Sequence, residues 1–201
     1  MKNIAKSIIL ALLIIACSKE KTGNMTVVGH IDGLKKGTMY LQKVIDTVIV
    51  SIDSVALNGS PDFILSDDLT SPELYYIQLD NNTDKIIAFF GEKGIINIQS
   101  KLDKFTYSAE ISGSENQILL EEHTDMLKKF NGRQLEIIKG KFDAQKANDT
   151  ILLADLEKEE SGLKRRQFYY TVNFAVNHGA SEIAPFLALT ELRYANVQLL
   201  D

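Results

Sequence analysis

Cys17 is the single cysteine of this 201-residue chain. It follows Ile14-Ile15-Ala16, where an unbroken apolar run from Ile8 to Ala16 gives way to Ser18-Lys19-Glu20-Lys21. One thiol excludes a disulfide within the chain, a CxxC redox pair and a multi-thiolate zinc site. What is left to it is nucleophilicity, and a thiolate is the side chain best suited to alkyl transfer. The other chemistry-bearing residues are scattered. His30, His123 and His178 are isolated, and no H-x-x-x-H or H-x-E spacing accompanies the Glu121-Glu122-His123 run, so no metal site is expected. Asp80, Asn82 and Asp84 open like an EF-hand loop, but Lys85 stands where a glycine is required and Gly91 where a bidentate glutamate is required. A polar hairpin turn is the better reading. Serines are plentiful, yet no G-x-S-x-G elbow and no glycine-rich phosphate loop after a strand occurs. No catalytic residue and no cofactor is therefore assigned, and a non-enzymatic protein is expected.

The N-terminus reads as an address. Lys2 and Lys6 precede nine apolar residues, which would span about 14 Å as a helix, roughly half the hydrocarbon thickness. That length fits a signal-peptide core over residues 1–16 better than a membrane span. Ile14-Ile15-Ala16-Cys17 resembles a bacterial lipoprotein lipobox. The resemblance implies cleavage before Cys17, a thioether-linked diacylglycerol on its sulfur and acylation of the new α-amine. The membrane then becomes a partner through the lipid on Cys17, and the location is the cell envelope, on the periplasmic or surface face of the outer membrane. Residues 17–24 are the lipidated cysteine and its tether. Ser18 to Asn24 reaches at most about 25 Å when extended.

Composition is that of an ordinary globular chain, 45% hydrophobic and 24% charged with net charge −5. Basic residues are concentrated nowhere, so no nucleic-acid partner is expected. Residues 25–112 alternate with period two. Met25, Val27, Gly29 and Ile31 face away from Thr26, Val28 and His30, and Tyr75 away from Tyr76. Strands are predicted near 25–31, 38–44, 46–52, 53–57, 62–66, 73–79, 85–90, 94–100 and 105–111, separated by turns such as Asp32-Gly33 and Asn58-Gly59-Ser60-Pro61. Short strands at this spacing point to an antiparallel β-sandwich or barrel-like domain. Residues 113–201 change to a helical period. Ser114 and Gln117 form a capping box, and Leu120, Leu127, Phe130, Ile138 and Phe142 supply the apolar face, with Asn131-Gly132 as a point of kink or break. Asp149 caps a second helix facing inward through Leu152, Leu156, Leu163, Tyr170 and Phe174, and Asn177-His178-Gly179 stops it. A third begins between Ser181 and Pro185 and carries Phe186, Leu189, Leu192 and Val197. The class is α+β, with a β domain first and a helical extension after it.

At this point a family becomes recognisable. Val28-Gly29-His30-Ile31-Asp32-Gly33-Leu34 with Gly37-Thr38-Met39-Tyr40-Leu41, then Asp53-Ser54-Val55, Leu74 to Leu79, and Ile111-Ser112-Gly113-Ser114-Glu115-Asn116 resemble, in order, the domain of unknown function numbered 4369. The helical part, with Glu182-Ile183-Ala184-Pro185-Phe186, resembles the connector that often follows it. The resemblance implies an N-terminal module of Bacteroidetes lipoproteins, frequently joined to a thioredoxin-like domain of the thiol:disulfide oxidoreductase type. No CxxC is present to carry that activity. The family brings no defined catalytic residues. Two readings follow: a lipid-anchored module that binds an envelope protein or a small ligand, or the docking portion of an oxidoreductase. In that compartment Asp46-Thr47, Asp53-Ser54 and Asp149-Thr150 resemble a short O-glycosylation signal, so Thr47, Ser54 and Thr150 are candidate acceptors. The last helix, expected to run through Leu199 and Leu200 without a C-cap, is read as docking on a partner or continuing into a further domain.

Overall fold

The structure is a computed structural model that describes residues 23–192. Cys17, the signal-like run and most of the tether lie outside the described residues, as does the expected helix beyond Leu192. Eight strands build two four-stranded sheets: β1 (Met25–Asp32), β2 (Lys36–Ile45), β3 (Val48–Asn58), β4 (Asp62–Asp67), β5 (Glu73–Leu79), β6 (Ile86–Gly91), β7 (Gly94–Lys101) and β8 (Glu110–Ser112). The strand orders are β4-β1-β7-β8 and β3-β2-β5-β6. Every pair is antiparallel except β1 with β7, which run parallel. A parallel pair needs a long crossover, and here the chain makes it through the whole second sheet before β7 returns beside β1.

Period-two alternation carries the sandwich core. Met25, Val27, Ile31, Met39, Leu41, Tyr75, Ile77, Phe89, Ile96 and Ile98 are fully buried between the sheets. Gly29 belongs to the same inward row because the Phe63 ring occupies the place its side chain would take; a Cβ there would overlap that ring. The outer face of the second sheet is covered in turn. Phe90 and Leu74 point away from the sandwich into a second cluster with Val172, Phe174, Ile183, Leu187 and Leu192, and Phe90 meets Phe186 edge-on at 5.4 Å.

Three expectations about strands change. The expected strands 46–52 and 53–57 are one strand, β3, because Asp46 and Thr47 form the hairpin turn and Asp46 takes a left-handed φ of 58°. β3 carries a bulge: Leu41 pairs with Asp53 but Gln42 with Ser51, so Ile52 is the extra residue. The buried Asp53 carboxylate accepts the N–H groups of Ser54 at 2.6 Å and Ser66 at 3.0 Å, sewing the β3 edge to β4. The sandwich closes on that side without becoming a closed barrel. The expected strand 105–111 shrinks to Glu110–Ser112. Residues Leu102–Lys104 wind into a 3-10 turn, Phe105 plugs into the core, and Ser100 Oγ donates to the Phe105 carbonyl at 2.6 Å, so residues 105–109 are not strand.

Among the described residues three helices follow: α1 (Glu115–Ala147), α2 (Thr150–Asn177) and α3 (Ile183–Thr190). α1 does not break at Asn131-Gly132. Both residues are exposed, and one interior glycine costs a helix only about 1 kcal/mol. Asp149 caps α2 as expected, accepting the Leu152 N–H at 2.9 Å. Ser114 accepts the Gln117 N–H, but Gln117 does not return the bond, so the capping box is half-formed. Ile137 and Ala144, not Ile138 and Phe142, form the buried seam of distal α1, and Leu152 of α2 is also exposed. Over that length α1 packs on a single antiparallel helix, which covers a narrow stripe. α3 ends at Thr190, where the Glu191 and Leu192 N–H groups both bond the Leu187 carbonyl, so the third helix does not run on through Leu192.

Candidate functional site

The chain enters the sandwich at Asn24 and is fixed there. Its backbone N–H bonds the Asp68 carboxylate at 2.9 Å, and its side-chain amide exchanges two bonds with the backbone of Leu69, at 2.8 and 3.0 Å. Asn24 caps the end of the sandwich where β1 starts, β4 finishes and β5 begins. One residue inward lies a group of half-buried charges drawn from both sheets. Lys43 of β2 reaches Asp67 of β4 and Glu73 of β5, each at 2.9 Å. The Tyr75 hydroxyl donates to Asp67 at 2.6 Å and accepts from Lys43 at 3.2 Å.

Burial opposes the charge on Lys43, yet the hydrogen bonds to Glu73 and Asp67 outweigh it and hold the ammonium above its ordinary pKa. Burial likewise pushes Asp67 up, and the Tyr75 and Lys43 bonds overcome it to hold the carboxyl below its ordinary value. Burial and then Asp67 drive the Tyr75 phenol far upward. Each of these three shifts moves its group away from neutral pH. These bonds clamp β4 of one sheet to β2 and β5 of the other.

A second constellation joins sandwich to helices. Glu92, in the turn between β6 and β7, accepts from Ser114 Oγ at 2.7 Å and from the Asn116 N–H and Nδ2 at 2.7 and 2.8 Å. Its carboxylate thus sits on the positive end of α1 and takes the place left open by Gln117. Burial raises the Glu92 pKa, but these bonds prevail and the group stays below its usual range. Gln117 instead accepts the Phe90 N–H of the sheet edge at 2.9 Å. Asn116 reaches onward: its Oδ1 accepts the Ile183 N–H at 2.9 Å and its Nδ2 lies 3.2 Å from Glu182. Two blocks sixty-odd residues apart in sequence therefore meet at one amide. Gly113, just before them, has a φ of 99° and abuts the Ile95 carbonyl, so only glycine makes the turn into α1 without strain.

The residues singled out from the sequence lie apart. Thr47 is exposed at the tip of the β2–β3 hairpin, Ser54 is exposed on β3 opposite Tyr40, and Thr150 is the exposed first residue of α2. His30 pairs with Asp62 at 2.7 Å on the outer face of the first sheet. His123 is buried between α1 and α2, 3.0 Å from Thr171 Oγ1 and stacked on Tyr170. His178 ends α2. Asp80, Asn82 and Asp84 do make a hairpin turn, in which Asp80 accepts the Thr38 N–H at 2.7 Å and Asn82 the Asp84 N–H. Tyr75 is core and Tyr76 faces outward, half-buried. Among the described residues no group of three or more histidine, cysteine or acidic side chains is placed to hold a metal ion, and no helix is long and apolar enough to cross a membrane. Between α2 and α3 lies a groove of about 370 Å³ lined by Val172, Ala175, Val176, Ala184, Pro185 and Ala188, with Gly179 at its end.

Lys43, Glu73, Glu92 and the long reach of Asn116 were not legible as a set. Each is a single polar residue inside an apolar or turn segment, and only the fold brings them together. No characterised protein and no solved structure matches the chain. A family model does match over residues 25–120, and that span covers the sandwich and runs into the start of α1, taking in Glu92, Gly113, Ser114, Asn116 and Gln117. Over residues 25–120 the chain matches the model of the family described as domain of unknown function (DUF4369).

Proposed function

We propose that this is a lipid-anchored cell-envelope protein of non-enzymatic type, a DUF4369 module whose helical extension binds an envelope protein or a small ligand. The observation that carries the anchor is Ile14-Ile15-Ala16-Cys17 at the end of the apolar run, followed by a seven-residue polar stretch leading to Asn24. Two or more acyl chains at about 0.8 kcal/mol per buried methylene make such an anchor effectively permanent. The firm seating of Asn24 supports the reading, since a tether is useful only where its far end is held. The binding role is supported by the exposed Leu135, Ile138 and Phe142, which follow one another along the outward side of α1. The test is metabolic labelling with an alkyne fatty acid and mass analysis of the mature N-terminus. Label confined to a peptide beginning at Cys17, and lost with Cys17→Ser, is the expected result. A mature chain that starts elsewhere, or that carries no acyl group, overturns it.

A second reading is the docking portion of a thiol:disulfide oxidoreductase, favoured by the family's resemblance to modules that precede thioredoxin-like domains. Its test is the reading frame downstream of codon 201. A CxxC-bearing domain there would replace the non-enzymatic role and leave the anchor at Cys17 as it stands.

A further inference from the structure

The β2–β3 hairpin outruns its sheet. Pairing of β2 with β5 ends at Lys43 opposite Tyr75, while pairing of β2 with β3 goes on through Val44–Ile49 and Ile45–Val48 to the Asp46-Thr47 turn. Two further residues in each strand project about 7 Å beyond the sheet. The tip is apolar on both sides. Ile45 and Val48 share one face and Val44 and Ile49 the other, and Val48 and Ile49 are 61% and 59% exposed. From Val44 to Ile52 the one charged residue is Asp46, at the turn. Such a segment on the edge strand β3 is an aggregation hazard in water unless something covers it.

Its position names the cover. Lys43 lies against Asp67, and Asp67 pairs with Met25, the residue after Asn24. The tip therefore projects from the same end of the sandwich at which the chain arrives from Cys17. The stretch from Ser18 to Asn24 cannot hold that end more than about 25 Å from the lipid attachment point. The opposite end, with the turns at Asp32-Gly33, Asn58-Gly59 and Asp80-Asn81, shows polar residues.

We propose that the tip of the β2–β3 hairpin is a second, noncovalent membrane contact, in which Val44, Ile45, Val48 and Ile49 enter the lipid interface beneath the tethered sandwich. This rests on the lipid-anchor reading above. Burial of branched aliphatic side chains drives the contact, so it does not need anionic lipid; the exposed Asp46 carboxylate stays among the headgroups, and Thr47 beside it carries no glycan in this arrangement. With one attachment at Cys17 and one at the tip, the sandwich is held in a fixed orientation.

The test uses the full lipidated chain in vesicles of phosphatidylcholine and phosphatidylethanolamine. Acylation consumes the Cys17 thiol, so Val48→Cys supplies the single site for an environment-sensitive fluorophore. Asn58→Cys supplies the control at the far end. The expected result is quenching by bromine-labelled acyl chains about threefold or more stronger at position 48 than at 58, unchanged by high salt. In the same protein, Val48→Asn with a fluorophore through Ile45→Cys should abolish the difference. If the protein floats with the vesicles while the label at 48 stays as water-exposed as that at 58, the hairpin proposal is overturned and the anchor stands. Protection of the label in native envelopes without quenching by lipid identifies a protein cover instead, and also overturns it. Loss of flotation with an unmodified Cys17 is the separate failure of the anchor. Circular dichroism checks that each variant keeps its fold, which is expected because the tip side chains project into solvent.

Discussion

His123 and Asp53 show how much one buried polar side chain can decide. The imidazole of His123 lies against Tyr170 and Phe174 with Thr171 at its Nε2. Burial holds its pKa below the ordinary 6.5, and the charge of Glu191 only partly opposes this. The unfolded chain then binds more protons than the folded one over the interval below 6.5, so the contribution of His123 is complete above that pH and declines as pH falls through it. His123→Gln should flatten the dependence of the urea midpoint on pH between about 7 and 5; an unchanged slope would show that His123 does not titrate with folding. Asp67 and Glu92 act lower. Their depressed carboxyls contribute fully above their ordinary values near 4 and lose that contribution under stronger acid. Asp53 acts through geometry. Asp53→Ala removes the acceptor of two backbone N–H groups at the bulge and the link to β4, and should cost about 2 kcal/mol in urea unfolding, with Asp53→Asn recovering part of it.

At the scale of elements, the long pair α1–α2 is unevenly supported. Near the sandwich it packs on the cluster of Phe90, Val172, Phe174 and Ile183. Farther out the seam consists of Ile137, Ala144 and Leu163, while Leu135, Ile138, Phe142, Ile151 and Leu152 are exposed. The distal turns are joined by surface ion pairs such as Lys141–Glu160 and Arg133–Glu159, which in water are worth only about 0.2–1 kcal/mol each. Native-state hydrogen exchange should therefore be faster over residues 138–156 than over 116–124 and 168–176, since local opening there exposes little apolar area. Equal protection along the whole length would mean that something covers the outer stripe, as a bound partner would. No local feature marks this difference, because Leu127, Ile138 and Phe142 at helical spacing read the same whether one helix or three pack against them.

In the whole molecule, Asn116 ties three parts together: the β6–β7 turn through Glu92, the start of α1, and the start of α3 through Ile183. Asn116→Ala should lower overall stability by about 3 kcal/mol and release α3 first. The expected signature is lost exchange protection at residues 183–192 with β1 and β7 still protected. Simultaneous loss in both would show that sandwich and helices unfold as a single unit. The same view explains why so much of the sandwich was readable. Alternation along β1, β5 and β7 is a local property that survives in any arrangement of those strands, provided one face is buried. Which strands become neighbours is not local, and the parallel pairing of β1 with β7 had no mark in either segment.

The residues themselves determined the strand-rich first half, the helical second half, the caps at Ser114 and Asp149, and the N-terminal run that ends at Cys17. These follow from side-chain period, from turn and cap chemistry, and from the length of an apolar segment, all of which act within a few residues along the chain. Tertiary structure alone decided that Asp53 closes one side of the sandwich, that Lys43 bridges two carboxylates from different sheets, that Glu92 takes up the half of the α1 cap left open by Gln117, and that Ile137 rather than Ile138 is buried. Each of these depends on what a distant segment presents at the same point in space. A lone lysine, glutamate or asparagine has the same local signature whether it faces water or a partner sixty residues away, and only packing, which makes an unpaired buried polar group costly, selects between them.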